Sequence, residues 1–505
     1  MRYIFNEDLD KSIEERILQL NNVEKQDIEL SNFEIDYNLE IINRFKEKLL
    51  SDKDKKFFIV GDYDCDGICA TTIIKRLLDE LNIENNYYIP SRTKEGYGIN
   101  DKIVQTAYDN NFDCILCVDN GVVASNQLAK AKKLGIKTYI IDHHEYTDTP
   151  ECDGFLHPNI FPNEYKDMCA AGICALLSNS FRQDELTTVY GGLATLADMV
   201  SIFSYNRYLV KQMLNILSNT RIEPINLLLG SNEITYTNLQ YNVIPKINAV
   251  SRLDDLMNVN YVVRYLLSTS NECLKYYDKI EIINESRKQI SKTMYQDSLR
   301  LIDDSKNIII IKNEHFKEGL CGIVANRLLD IYDKPVVVFA ENNDILKGSG
   351  RSKSGTNLFE YLKECKDLFD NYGGHEQAVG ITISEDNYVK LLEYVDKHPL
   401  SINEQYTDVL LFNQEDIDFS ILNQINSLGP YGVGFKEPLI GIRNPKYIKQ
   451  LLVAGKYPKF IFNDKFDAIS FNSNMINKDF EYMIGKLKVD TYNSNKLSFV
   501  IEDLV

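Results

Sequence analysis

Four short apolar runs between residues 57 and 141 constrain this chain most: FFIV (57–60), NYYIP (86–90), CILCV (114–118) and KTYII (137–141). Each has the length of a strand. Between them lie stretches of helical character, ATTIIKRLLDEL (70–81), NDKIVQTAYDN (100–110) and SNQLAKAKKLG (125–135). Gly135 suits a helix stop. Strands alternating with helices predict an α/β fold, a parallel sheet with crossover helices.

Three of these strands end in charge. Asp62, Asp64 and Asp66 follow the first, Asp119 follows CILCV, and Asp142, His143 and His144 follow KTYII. In an open α/β sheet the carboxyl ends of the strands form the crevice where ligands bind. Carboxylates gathered there repel one another unless a cation neutralises them. Oxygen ligands with imidazole suit Mn²⁺, and mostly-oxygen sites suit Mg²⁺. This many carboxylates can hold two ions, which roughly 3.5–4 Å apart stabilise the attacking and leaving oxygens of a phosphoryl displacement. Taken singly, each string has a plainer reading: a solvated acidic turn, or a surface histidine pair. A calcium loop of the EF-hand type fails, because its twelfth position, which needs glutamate, is Ile73. The convergence of three strand ends favours a metal site.

The rest of the composition sets limits. With 505 residues the chain has room for about three domains of ~150 residues. Its 56 Lys+Arg against 74 Asp+Glu, a net −18, argue against wholesale coating of a polyanion. A local basic groove remains compatible with nucleic acid, because the charge near the phosphates is what matters. Ten scattered cysteines suit a reducing compartment. Cys65/Cys69 and Cys114/Cys117 lack a matching pair downstream, so packing is expected of them rather than zinc. The start MRYIFNEDLDK has no apolar signal core, and no apolar run approaches the roughly 20 residues that cross a bilayer; a soluble cytoplasmic protein is expected.

Beyond the first sheet, residues 170–230 read as mostly helical, and 256–303, without Gly or Pro, as one connector helix or two. A second α/β block follows, with strands NIIIIK (307–312) and PVVVFA (335–340) around the helix CGIVANRLLDIY (321–332). Next come the Gly/Ser-rich GSGRSKSG (348–355) and a GGH string. GPYGVG (429–434) opens a β-rich third region. The expected divisions are a helical N-terminal segment (1–50), a parallel-sheet domain (51–255), a connector (256–305), a smaller α/β domain (306–400) and a β-rich domain (401–505). Between Pro438 and Asn463 there is no acid, while Arg443, Lys446 and Lys449 alternate with Tyr447 and Tyr457. Basic groups that follow a backbone and aromatics that stack bases suit single-stranded nucleic acid; a strand-rich surface with core aromatics has the same composition.

VGDYDCDGICA, CVDNG, IDHH and GLATLADMV resemble, in order, the four motifs of the DHH phosphoesterase superfamily. IPSRTKEGYGIN (89–100) and IPKINAVSRLDD (244–255) resemble strings of its RecJ branch, with Ser251 in place of a usual glycine. KGSGRSKSGTNLFEYLKECKDLFDNYGGHEQAVGITI (347–383) resembles the DHH-associated domain. SLGPYGVGFKEP (427–438) resembles the string opening the OB-type domain, with Phe435 and Lys436 replacing Asn-Pro. The resemblance implies a parallel-sheet DHH domain, a long helical connector, a DHH-associated substrate-binding domain and an OB-type domain.

By that resemblance Asp64 and Asp66 bind different metals, Asp119 bridges them, His143 and Asp198 complete the second site, and Asp62 is a further ligand. Asp142 is expected to orient an imidazole, and His144 to contact the scissile phosphate. Without the resemblance Asp198 is an ordinary capping acid. Arg252 and Arg351 are candidate phosphate clamps, since guanidinium forks match phosphate oxygens. Arg252 could instead pair with Asp254 or Asp255. Ser349, Gly350 and Ser352 flank Arg351 with small groups that would let backbone N–H groups approach a phosphate, or else form a surface turn. Gly373, Gly374 and His375 are expected to approach substrate similarly, and Arg92 to contact DNA.

The implied activity is that of a single-stranded-DNA-specific 5′→3′ exonuclease, a hydrolase of phosphodiester bonds in DNA recombination and repair. It would use two Mn²⁺ or Mg²⁺ ions and no Ser or Cys nucleophile. Two alternatives are a DHH phosphodiesterase acting on short oligoribonucleotides or cyclic dinucleotides, and a catalytically inactive DHH scaffold. The INAVSRL and OB-type strings disfavour the first, and the complete ligand set disfavours the second. Single-stranded DNA is the expected partner, with a single-strand-binding protein and a helicase upstream, no membrane, and a monomeric chain whose cleft forms within itself.

Overall fold

The computed structural model of the chain describes every residue except 1, 9, 32, 269, 343, 401–405, 463–464, 473–474, 477 and 491–494, together with the side chains of 270 and 271. Two compact units emerge. One comprises residues 35–198 and 209–403; the other comprises 1–34, 199–208 and 404–505.

The larger unit contains the predicted parallel sheet. Its five strands run in the order Asn85–Tyr88, Phe57–Val60, Cys114–Val118, Lys137–Ile141, Gly154–Leu156. Every neighbouring pair is parallel. Phe57–Val60 and Cys114–Val118 are buried along their whole length, as strands covered on both faces must be, which is why they read as unbroken apolar runs. From Phe57–Val60 the chain steps to one side for Asn85–Tyr88, then crosses to the other side for Cys114–Val118. The strand order therefore reverses between those two central strands, and a crevice opens at their carboxyl ends.

Helices Ala170–Phe181, Glu185–Ala197, Ser204–Asn219 and Glu223–Leu229 make up most of the predicted helical stretch, residues 204–208 falling in the smaller unit. The connector is Asn260–Leu267 followed by the 29-residue helix Ser270–Ser298. The INAVSR string lies in a helix of its own, Ile244–Arg252.

The second sheet of this unit runs Asn371–His375, Ala378–Ser384, Ile345–Arg351, Val336–Asn342, Ile309–Asn313. Only its last pair is parallel. Here the sequence reading of GSGRS needs correcting. KGSGR is the end of a central strand, neither a phosphate-cradling loop nor a surface turn, and its backbone pairs with strands on both sides. The glycines serve packing: a Cβ at Gly348 would lie 2.5 Å from the Phe339 ring, and one at Gly350 2.5 Å from Val379. GGH is likewise an exposed edge strand.

The smaller unit is built on an eight-stranded sheet in the order Arg2–Asn6, Tyr406–Phe412, Leu439–Arg443, Tyr482–Val489, Leu497–Leu504, Phe466–Ser470, Tyr457–Ile461, Lys449–Val453. The helical reading of residues 1–50 missed its first strand. Arg2–Asn6 pairs in parallel with Tyr406–Phe412, and Arg16 donates to the carbonyls of Asn6 and Leu411. Residues 1–34 thus belong with the C-terminal β-rich region. Helix Ile13–Asn21 lies in this unit, whereas Glu40–Ser51 belongs to the larger one. The expected boundary at 400/401 adjoins 401–405, outside the described residues.

Candidate metal centre

The three aspartates of DYDCDG are separated by the turn from strand to helix and take different tasks. Asp64 caps the helix Cys65–Glu80: its Oδ1 accepts from the backbone N–H groups of Asp66 (2.9 Å) and Gly67 (3.2 Å). Gly67 is required there, because a Cβ would lie 2.5 Å from the Asp62 carbonyl oxygen. Asp66, one residue into the helix, turns to another helix. Its two oxygens accept from the N–H groups of Ala170 and Ala171, both at 2.8 Å, at the start of Ala170–Phe181. Asp62 is buried, and its Oδ1 has no hydrogen-bond partner.

Asp119, the first residue past Cys114–Val118, adopts φ +61°, a left-handed conformation that Asp and Asn tolerate better than other side chains. It too is buried with Oδ1 unpartnered by any hydrogen bond. Asn120 beside it is fully buried. Its amide donates to the carbonyls of Val60 and Val118, both at 2.9 Å, and its Oδ1 accepts from Ile99 N–H at 3.1 Å. One side chain thus ties the two strands that flank the crevice to the loop that follows Tyr97.

Asp142 is saturated. Its Oδ2 accepts from Val122 N–H, and its Oδ1 accepts from His143 N–H and from the His144 ring Nδ1 at 2.8 Å. His143 stands at the centre of the acids, with Nε2 3.3 Å from Asp119, 3.6 Å from Asp198 and 3.8 Å from Asp66. Asp198 ends the helix Glu185–Ala197, so its carboxylate sits at the negative end of a helix, where a cation is the favoured neighbour.

The electrostatics follow from the geometry. Burial, then the neighbouring carboxylate charges, push Asp62 and Asp119 well above the usual carboxylate range. Asp198 is raised to about 8 by burial and by the charges of Asp66 and Asp64. Burial raises Asp66 as well, and lowers His143. Burial would also lower His144, but the hydrogen bond and charge of Asp142, with Asp62 and Asp198 behind it, hold its imidazole up at about 9. Asp142 is raised by burial, yet His144 and the backbone N–H groups bring it below its ordinary value.

This donor set fits divalent cations. Asp66, His143 and Asp198 form one triad whose ligand atoms lie within 4.8 Å of one another, and Asp62, Asp64 and Asp119 form another with no shared member. Buried carboxylates with unpartnered oxygens, none facing a Lys or Arg ion-pair partner among the described residues, are what a cation would neutralise. The geometry thus assembles all six predicted ligands, with Asp142 and His144 beside them.

Two of the predicted cations act on the acids, Arg92 on Asp62 and Arg252 on Asp64. Ser91 and Thr93 are clamped by Asp254, at 2.6 Å and 2.7 Å from their hydroxyls. Arg92 projects between them, 5.0 Å over the Tyr63 ring. Arg252 pairs with neither nearby acid: Asp254 holds Ser91 and Thr93, and Asp255 holds Lys317. It donates instead to the Gly319 carbonyl. Arg351 reaches the same turn, where a Cβ on Gly322 would come 2.8 Å from its Nη2. A cavity of about 850 Å³ lies at Arg252, its lining mixed in charge: Lys94, Arg252, Lys317 and Lys347 alternate with Asp255, Glu314, Glu318, Glu341 and Asp344.

Other predicted contacts are placed differently. Ser352 is buried and gives its hydroxyl to the Thr356 carbonyl. Ser349, Gly373, Gly374 and His375 lie on the second sheet, the last three on its edge. In the β-rich unit Arg443 is ion-paired with Glu481 and Glu7. Tyr447 packs edge-on against Phe460 and Phe462, and Tyr457 against Phe471. Lys446 and Lys449 are exposed.

Two site residues were missed by the sequence reading. Asn120 lay within the quoted CVDNG. Tyr97 donates its hydroxyl to the Asp119 carbonyl at 2.8 Å and lies 3.0 Å from His144 Nδ1. The signal for Tyr97 was the pair of flanking glycines in EGYGIN, both with positive φ.

Family comparisons agree with this anatomy. The DHH family, N-terminal domain, matches residues 56–198, the DHHA1 domain 305–398, and the RecJ OB domain 410–503. The single-stranded-DNA-specific exonuclease RecJ of Bacillus subtilis is 26% identical over 92% of this chain, which spans 62% of that protein's length. The Salmonella typhimurium protein of the same name is 27% identical over 93% of this chain and 90% of its own. A crystal structure of RecJ from Thermus thermophilus in complex with Mn²⁺ matches with a TM-score of 0.83 at 21% identity, over 100% of this chain and 79% of that one. A structure of exonuclease RecJ bound to manganese matches at 0.61 and 26% identity, over 71% and 94%. With the three family domains in order and an acidic crevice at the switch point of the first, the chain belongs to the RecJ branch of the DHH phosphoesterase superfamily.

Proposed function

We propose that this protein is a Mn²⁺- or Mg²⁺-dependent exonuclease that degrades single-stranded DNA from its 5′ end in recombination and repair. The observation that carries the reading is the pair of acidic triads at the strand ends, with Arg92 and Arg252 in electrostatic reach of them and, among the described residues, in ion-pair contact with no carboxylate. The names of its RecJ relatives support the substrate class.

Asp62, Asp64 and Asp119 would hold one ion, and Asp66, His143 and Asp198 the other, with Asp119 close enough to His143 to serve both. Two divalent ions supply charge stabilisation for the attacking and leaving oxygens of a phosphodiester. The chain's own residues do the rest. Asp142 fixes His144 through Nδ1–H, which leaves Nε2–H, 3.4 Å from the Tyr97 hydroxyl, to donate to a phosphate oxygen or to the departing oxygen. Arg92, Arg252 and Arg351 neutralise the phosphates. Ser349 and His375 are assigned contacts further along the strand. Lys446, Lys449, Tyr447 and Tyr457 are assigned to DNA in the OB-type domain; Arg443, already paired, would have to exchange Glu481 for phosphate.

No helix among the described residues is long and apolar enough to cross a membrane. We assign the protein to the cytoplasm as a monomer, fed by a helicase and a single-strand-binding protein.

The test is one DNA oligonucleotide labelled at the 5′ end in one tube and the 3′ end in another, incubated with Mn²⁺, with EDTA, and with the Asp119→Ala variant. Immediate release of the 5′ label as a short product, while the 3′-labelled strand shortens progressively, supports the reading. Survival of the long strand with loss of di- to pentanucleotides overturns it.

A further inference from the structure

The string Arg252-Leu253-Asp254-Asp255 gives each of its charged side chains a different partner. Arg252 donates through Nη1 to the Gly319 carbonyl at 3.2 Å. Asp255 pairs with Lys317 at 2.8 Å. Asp254 binds the turn that carries Arg92. Its Oδ2 accepts from the Ser91 hydroxyl at 2.6 Å and from Thr93 N–H at 3.0 Å, and its Oδ1 accepts from the Thr93 hydroxyl at 2.7 Å. The turn is also closed from within. Glu95 and Gly96 donate their N–H groups to the Ser91 carbonyl at 2.9 Å and 3.1 Å, and the Glu95 carboxylate accepts from Ser91 N–H at 2.8 Å. Just ahead of it, Asn260 exchanges two hydrogen bonds with the backbone of Ile89, both at 2.9 Å.

Ser91 and Thr93 bracket Arg92, so holding both fixes the backbone on either side of it. A carboxylate beside an arginine ordinarily pairs with it, and such a pair must break before a phosphate can take its place. Asp254 is instead filled by three donors from the turn and, among the described residues, is in ion-pair contact with neither Arg92 nor Arg252. Thr93 and Arg252 line one cavity, so this carboxylate joins the turn of one arginine to the chain of the other at the edge of a shared space. A loop ordered before its ligand arrives loses no further freedom on binding.

We propose that Asp254 is a positioning residue: by holding Ser91 and Thr93 it sets Arg92 at a fixed spacing from Arg252, so that the two guanidiniums form one preorganised clamp for a DNA phosphate. This rests on the nuclease reading above. The contribution of Asp254 is its geometry. Asn at this position keeps an oxygen for Ser91 and for Thr93 N–H and offers an amide to the Thr93 hydroxyl oxygen, whereas Ala removes all three contacts.

The experiment compares the full-length wild type, Asp254→Ala, Asp254→Asn, Arg92→Gln and the R92Q/D254A double variant on a 5′-phosphorylated single-stranded oligonucleotide. KM and kcat are read in Mn²⁺, direct binding in Ca²⁺, and melting temperature alongside. R92Q is expected to raise KM about tenfold, the scale of one charge-assisted contact. D254A should raise it about fivefold with kcat within about twofold, and D254N should restore most of the affinity. Because Asp254 acts through Arg92, D254A should add less than about twofold in the R92Q background. Thr93→Val, which removes one of the three contacts, repeats the comparison should D254A fail to fold. An unchanged KM in D254A and T93V overturns the proposal. So does an equal rise with and without R92Q, or a D254N as impaired as D254A. A wild type that binds DNA but cuts nothing counts against the nuclease reading instead, and the binding constants of the same variants in Ca²⁺ still decide the role of Asp254.

Discussion

Replacing Asp119 by Asn should stabilise the metal-free protein while destroying its activity. Asp119 is buried, its Oδ1 has no hydrogen bond, and its ligand oxygen lies within 4.8 Å of those of Asp62 and Asp64. At an effective dielectric constant of about 20, two full charges at that distance repel by roughly 3 kcal/mol. Protonation of the cluster relieves part of this, so a net gain of about 2 kcal/mol is expected without metal, a rise in melting temperature on the order of 5 °C. Asn keeps the backbone intact because it too accepts the φ of +61°. The cost appears when metal is added. Scanning fluorimetry of wild type and D119N, in EDTA and over a Mn²⁺ titration, should show a higher starting point and a much smaller Mn²⁺-induced rise for the variant. Hydrolysis of a labelled oligonucleotide should fall about 10³-fold, the scale of removing a group that stabilises transition-state charge. A variant that melts below the wild type in EDTA, or that keeps the full Mn²⁺ shift, would refute the argument that repulsion among these carboxylates shapes the empty site.

The same electrostatics set a pH dependence. Asp62, Asp66, Asp119 and Asp198 all have folded values above the ordinary 3.8, Asp198 about 8. The stability they contribute is fully present below about pH 4 and is lost as pH rises through about 8. The Mn²⁺-induced rise in melting temperature should therefore be larger at pH 8 than at pH 6; a shift that shrinks over that range contradicts it. Tyr97→Phe removes the hydroxyl bonded to the Asp119 carbonyl; kcat should fall about tenfold for a stability change near 1 kcal/mol, as steady-state assays and melting would show. Gly322→Ala should leave melting unchanged or higher, since Ala favours a helix by about 1 kcal/mol. Its Cβ would displace the Arg351 guanidinium, so KM for DNA should rise several-fold. Asn120→Ala strips partners from three buried backbone groups and should cost about 3 kcal/mol or more in chemical denaturation.

The acidic crevice was legible because its causes are local. A buried parallel strand must be an unbroken apolar run, a strand-to-helix turn must end it, and the next residues then stand at the strand's carboxyl end. FFIV, CILCV and KTYII therefore located Asp62, Asp64, Asp66, Asp119, His143 and His144 in one crevice. The family motifs added Asp198, which no periodicity distinguishes from an ordinary acid at a helix end. The KGSGR string shows the opposite case. Its glycines suggested a phosphate loop, whereas the Phe339 and Val379 side chains of neighbouring strands are what require them.

What the sequence by itself determined was the alternation of elements, and with it the acids and histidines carried to the ends of three strands. Which distant segments meet was decided only in the tertiary structure. Arg2–Asn6 finds a partner strand roughly 400 residues away, and Asn120 ties two strand ends to a loop. Local propensity is written in neighbouring residues. These encounters are fixed instead by burial and by satisfying polar groups across long stretches of chain, so no short window of sequence records them.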